Sequence, residues 1–166
     1  RQNELVEAIA AVNQNVVVVV NAGSPVELPW KDKVSAILLT WFPGEEYGNA
    51  VADVLFGDKE PGGRLPTTWG ALDKAPVTNT DPVNGELPYS EGINIGYRAW
   101  AKAGVTPNYW FGHGLGYTTF EFSEVAIPAS LSSGSDLKIS LKVTNTGARS
   151  GSEVVQVYLR RKNSSV

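Results

Sequence analysis

The sequence predicts an α/β fold: a partial α/β sandwich, with a largely parallel sheet and flanking helices, followed by an incomplete antiparallel β-sandwich of about three strands. Three observations carry this expectation. Two apolar runs, Val16 to Val20 and Ala36 to Phe42, lack any polar alternation, as strands covered on both faces do. Segments with helical spacing flank them. Beyond Thr119 the apolar period changes to two.

From Glu4 to Val12 the residues Leu5, Val6, Ile9 and Val12 fall on one helical face, which predicts a short amphipathic helix. The five valines that follow are β-branched and suit a strand, which Asn21, Ala22, Gly23 and Ser24 end. Pro43 and Gly44 close the second apolar run. Glu45 to Phe56 places Tyr47, Ala50, Val51, Val54 and Leu55 on one face, with acids at its start and Gly57 just past its end, so a second helix is expected there. The stretch between Val20 and Ala36 is short for a crossover helix. From Asp58 to Thr119, Gly, Pro, Asn and aromatics dominate. Short strands are expected near Leu65 to Trp69 and Ile95 to Trp100, within a loop-rich region of the functional or packing kind.

In the last segment Leu137, Ile139, Leu141 and Val143 alternate with polar residues, and Val155, Val157 and Leu159 do so again. With Phe120 to Ile127 that makes about three strands, against roughly seven for a complete immunoglobulin-like sandwich. The domain boundary is therefore expected at 118/119: residues 1–118 as the second half of the sheet unit, 119–166 as the start of the sandwich.

Composition excludes several functions. A hydrophobic share of 42%, a charged share of 19% and a net charge of -3 describe a soluble globular chain of 166 residues. Lys and Arg form no stripe, so nucleic acid is not an expected partner. No apolar run nears the roughly 20 residues of a membrane helix, and no signal peptide is visible. Cys 0 removes disulfides, thiolate chemistry and zinc clusters, and His113 alone builds no metal site, so no metal or cofactor is expected. Met 0 and an opening inside a helix predict a piece of something longer. The compartment, cytoplasmic or secreted, stays open.

Candidate substrate-binding residues are Trp41, Glu45 and Glu91. Trp41 to Gly48 puts aromatics and two acids at the carboxyl edge of a strand, where open α/β sheets bind ligands. The plainer reading is that Glu45 and Glu46 complement a helix N-terminus. As helix neighbours about 100° apart they cannot face each other as acid and nucleophile. Glu91, seven residues before Arg98, either faces a substrate or pairs with that arginine to pin the loop. The glycines around His113 lack G-x-G-x-x-G spacing, so a tight turn with a packed or hydrogen-bonded His113 is expected there. Ser24 lacks the flanking glycines of a nucleophile elbow and reads as a turn residue. Asn163-Ser164-Ser165 matches a glycosylation sequon, a pattern common by chance.

Several blocks together resemble family 3 glycoside hydrolases. They are Val16 to Glu27, Trp41 to Gly48, Ala52 to Gly57, Pro61-Gly62-Gly63-Arg64-Leu65-Pro66-Thr67-Thr68, Glu91 to Trp100, and Phe111 to Phe120. Val143 to Gly147 followed by Gly151 to Tyr158 resembles the start of that family's fibronectin type III-like domain. The resemblance covers almost the whole chain.

It implies exo-acting, retaining hydrolysis of β-glucosides or β-glucans, by an aspartate nucleophile and a glutamate acid/base with carboxyls about 5 to 5.5 Å apart. It also implies that the aspartate sits on an N-terminal (β/α) barrel and the glutamate upstream of Arg1, so no catalytic residue maps onto this sequence. The expected partners are that barrel and the remainder of the sheet domain. The chain alone is expected to be inactive and, with strand edges uncovered, to self-associate. The competing reading is a freestanding carbohydrate-binding module that stacks sugars on Trp41, Trp69, Trp100, Tyr109 and Trp110.

Overall fold

The computed structural model describes residues 1–76 and 81–160. The sequon at Asn163 lies outside them. Helix α1 covers Gln2–Val12, strand β1 Val17–Val20, strand β2 Ala36–Leu39 and helix α2 Tyr47–Phe56. Strands β1 and β2 pair in parallel, Val17 opposite Ala36 through Val20 opposite Leu39, as the unbroken apolar runs predict. Thr40 extends the pairing, since its N–H donates to the Val20 carbonyl at 2.9 Å.

Residues 21–35 link two parallel strands without an α-helix, through a loop and one 3-10 turn at Lys31–Lys33. The physical reason lies in what the loop buries. Leu28 and Trp30, on this connection, are 5% and 4% exposed, and with Trp69 they form the core. Val18, Val20, Ile37 and Leu39 pack against that core from the sheet, and Val6 from α1. The loop thus covers the sheet as a crossover helix would. Polar contacts fix α1 to it: the Trp30 indole N–H donates to Asn3 at 2.9 Å, and Lys33 meets Glu7 at 2.8 Å.

The strand expected near Leu65 to Trp69 is reduced to a single antiparallel bridge, Trp69 with Tyr109, and the loop-rich region is tied by that bridge and by a backbone hydrogen bond at Leu65. The Leu65 and Trp69 N–H groups donate to the His113 and Tyr109 carbonyls, both at 2.8 Å. Residues 95–100 are not a strand, as expected from sequence, but open helix α3, Gly96–Ala103. Its buried residues, Ala99 and Trp100, are neighbours, which period two does not allow on one face. Gly104 closes α3 in the left-handed conformation at φ 67°. The Trp100 ring lies so close to Gly70 that any side chain at Gly70 would overlap it.

Strands β3, Phe120–Ala126, and β4, Ser140–Asn145, form an antiparallel pair. Its register breaks between Ser123 and Ala126, where Glu124 adopts φ 54°. The third expected strand, over Val155 to Leu159, does not pair among the described residues. Its apolar side chains stand 41% exposed at Val155 and 82% at Leu159, so no second layer buries the alternating face that stabilises a strand.

Candidate functional site

The carboxyl ends of β1 and β2 meet at Gly23 and Phe42. A Cβ on Gly23 would overlap the Phe42 ring, so glycine is required for this approach. Trp41 beside it has φ 50°, a left-handed value that costs a non-glycine residue roughly 1–2 kcal/mol. Packing holds it there. Its ring stands edge-on to Trp69, with centroids 5.7 Å apart and planes at 88°, and belongs to the core cluster. Trp41 is thus a half-buried wall at the strand edge rather than an open platform, while Phe42 is 84% exposed.

Glu46 is the N-cap residue of α2 and makes no capping hydrogen bond; it accepts one from the Asn49 amide at 2.6 Å. Glu45 is exposed just before it. Both carboxylates therefore lie where the helix dipole favours negative charge. Glu91 is half-buried, and its main-chain carbonyl accepts from the Asn94 N–H at 3.0 Å. The expected alternative, an ion pair with Arg98, does not form: the guanidinium lies over the Tyr97 ring, 5.3 Å from its centroid. Trp41 and Glu45 share the strand edge, whereas Glu91 comes from the loop before α3.

An open cavity of about 240 Å³ is lined by Glu27, Leu28, Pro29, Lys31, Ala71 and Asn108. This is below the ordinary range for small-molecule pockets. None of Trp41, Glu45 and Glu91 lines it. Its only carboxylate, Glu27, accepts the Leu72 N–H at 2.8 Å, which occupies it structurally.

A polar cluster around Arg64 and Glu60 was not legible as a site in the sequence. Arg64 donates to Glu153 at 2.9 Å, with side chains only 13% and 24% exposed. The Ser152 N–H donates to Glu60 at 2.8 Å. The hydrogen bond from Arg64 and another from the Val154 N–H hold the Glu153 carboxyl below its ordinary range, the wrong direction for a general acid. His113 stacks on Tyr109, centroids 4.8 Å apart, and burial together with the Arg64 charge pushes its pKa down. His113 is thus the packed turn residue its glycine-rich setting predicts. Arg64 and Glu153 lie 89 residues apart, and no local spacing announces such a pair.

A parallel strand pair covered by a buried crossover loop, joined through a polar junction to an antiparallel pair, defines an α/β unit carrying a β extension. The family description "Glycosyl hydrolase family 3 C-terminal domain" matches residues 1–117. The chain belongs to glycoside hydrolase family 3. It is 44% identical to a β-glucosidase of Rhizobium radiobacter over 100% of its own length and 21% of the relative's. It is 42% identical to thermostable β-glucosidase B of Acetivibrio thermocellus over 99% and 22%. Among solved structures, β-glucosidase 3B from Thermotoga neapolitana in complex with glucose aligns with TM-score 0.80 and 38% identity, over 90% of this chain and 22% of that one. DesR, a β-glucosidase from Streptomyces venezuelae in complex with D-glucose, aligns with TM-score 0.79 and 38% identity, over 88% and 19%. The chain spans about a fifth of the length of these relatives.

Proposed function

We propose that this chain is part of a retaining exo-β-glucosidase, acting on β-glucosides or β-glucans. In that enzyme it completes the sheet domain and braces a catalytic glutamate that lies outside this sequence, as does the nucleophilic aspartate. Residues 1–118 belong to the sheet domain and 119–166 to the fibronectin type III-like one. The observation that carries the reading is identity above 40% across essentially the whole chain to β-glucosidases of which it spans a fifth.

Surface area supports the same reading. The chain exposes 12561 Å², whereas a self-contained monomer of 17.8 kDa exposes about 8000 Å². Part of this excess lies on residues 151–160, which join no strand, and the barrel and the rest of the sheet domain are the proposed occupants of the exposed apolar faces. Trp41, Glu45 and Glu91 are the proposed substrate-binding residues in the assembled enzyme, Trp41 as a half-buried wall of the site. Among the described residues we find no pair of carboxyls positioned across a glycosidic bond, and in this reading the isolated chain does not hydrolyse glycosides. The sugar-binding module is disfavoured by burial: Trp69 and Trp100 are 3% and 7% exposed, and stacking needs a free ring face.

The test is an aryl β-glucoside assay on the purified chain. No release above buffer is expected. Turnover that disappears in Glu91→Gln would place an active site inside this sequence and sink the reading.

A further inference from the structure

The last carbonyls of an α-helix have no partner within the helix, and α2 ends near residues distant in sequence. Gly57 caps it with φ 83°, and the Gly57 N–H donates back to the Val54 carbonyl at 3.0 Å. Two side chains from beyond residue 116 reach the same end. The Tyr117 hydroxyl donates to the Val54 carbonyl at 2.6 Å, and the Arg149 guanidinium donates to the Gly57 carbonyl. The guanidinium also covers the Tyr117 ring, 5.2 Å from its centroid, so the two side chains form one unit. A Cβ on Gly57 would stand 3.0 Å from the Arg149 nitrogen, so glycine serves both the left-handed turn and the arginine's approach. Arg149 is itself fixed to β4: the Asn145 amide donates to the Arg149 carbonyl at 2.8 Å, while its oxygen accepts from Thr118 at 2.7 Å.

We propose that Tyr117 and Arg149 form a cap in trans, through which the β3–β4 unit sets the position of α2. A cation at a helix C-terminus is favoured by the dipole, and its hydrogen bond to a carbonyl is charge-assisted. Helix α2 is a rigid rod about 15 Å long, and its other end carries the Trp41 to Glu46 turn at the strand edge. Tyr117 and Arg149 are therefore positioning residues: they hold the far end of the element on which that turn is built. The proposal stands whether or not the glycosidase reading does, because it concerns the chain's own backbone.

Hydrogen exchange of the 166-residue chain, followed by mass spectrometry, tests it. In Arg149→Met, exchange across α2 and residues 42–46 is expected to rise about tenfold, as for one lost charge-assisted hydrogen bond, with β1 and β2 unchanged. Arg149→Lys keeps the charge and a donor and should restore at least half of the protection, which simple loss of packing would not do. Tyr117→Phe removes one hydroxyl and should raise α2 exchange about threefold, which provides a readout should Arg149→Met fail to fold. Unchanged α2 exchange in Tyr117→Phe overturns the proposal. So does a rise in Arg149→Met that is equal in β1, β2 and α2, since that signals general destabilisation.

Discussion

Arg64 shows how one side chain sets the behaviour of two others. Its bond to Glu153 lowers that carboxyl's pKa from the ordinary 4.5, so the pair's contribution is fully present above that value and is lost as pH falls through the lowered one. Glu153→Gln should therefore lower stability by about 1–3 kcal/mol near neutral pH and flatten the acid limb below pH 4.5. Urea unfolding at about pH 6 and about pH 3, either side of that carboxyl's ordinary range, measures both, and an equally steep limb in the variant would refute the assignment. His113 is depressed from 6.5, chiefly by burial and then by Arg64. The unfolded chain thus binds the proton more readily. Stability falls as pH drops below 6.5 and levels off beneath the folded pKa, and His113→Gln should remove that slope. At this scale the sequence was legible only in part. The turn around His113 follows from its glycines, whereas Arg64 reads as one residue of a motif until the fold brings Glu153 to it.

Elements were legible where a pattern was strong and local. The valine run, the second apolar run and the helical spacing before Phe56 all correspond to observed elements, because continuous apolarity and 3.6-residue periodicity state burial directly. Three readings failed for physical reasons. The strand expected near Leu65 to Trp69 survives only as the bridge of Trp69 to Tyr109, because its neighbours join no ladder. Helix α3 places two adjacent residues in the interior, a pattern that fits neither strand alternation nor a wide helical stripe. The segment that carries Val155, Val157 and Leu159 has the right period for a strand but no paired neighbour among the described residues. Burial of Trp100 against Gly70 gives α3 a sharp test. Trp100→Ala should cost about 3–5 kcal/mol by leaving a cavity, and Gly70→Ala about 1–3 kcal/mol by overpacking. Thermal unfolding monitored by circular dichroism checks both, and a shift within error for either would show that this contact does not hold α3. Trp41, Glu45 and Glu91 illustrate the same limit for a site. The strand edge that carries the first two was legible, but that Trp41 turns into the core against Trp69 was not.

At the scale of the molecule, exposure decides. Phe56, Val12 and Leu159 are more than four-fifths exposed, and only five residues form the buried apolar set among those described. Apolar surface of this extent drives association when nothing covers it. Sedimentation velocity across a hundredfold concentration range should show concentration-dependent self-association, and a compact monomer throughout would count against an uncovered docking face. The most direct measurement is a replacement: this chain exchanged for the matching fifth of the Thermotoga neapolitana β-glucosidase, assayed on an aryl β-glucoside beside the isolated chain. Hydrolysis by the chimera and none by the chain alone is expected. A folded chimera without activity, or turnover by the isolated chain, would contradict the assignment of this chain as the bracing part of a β-glucosidase.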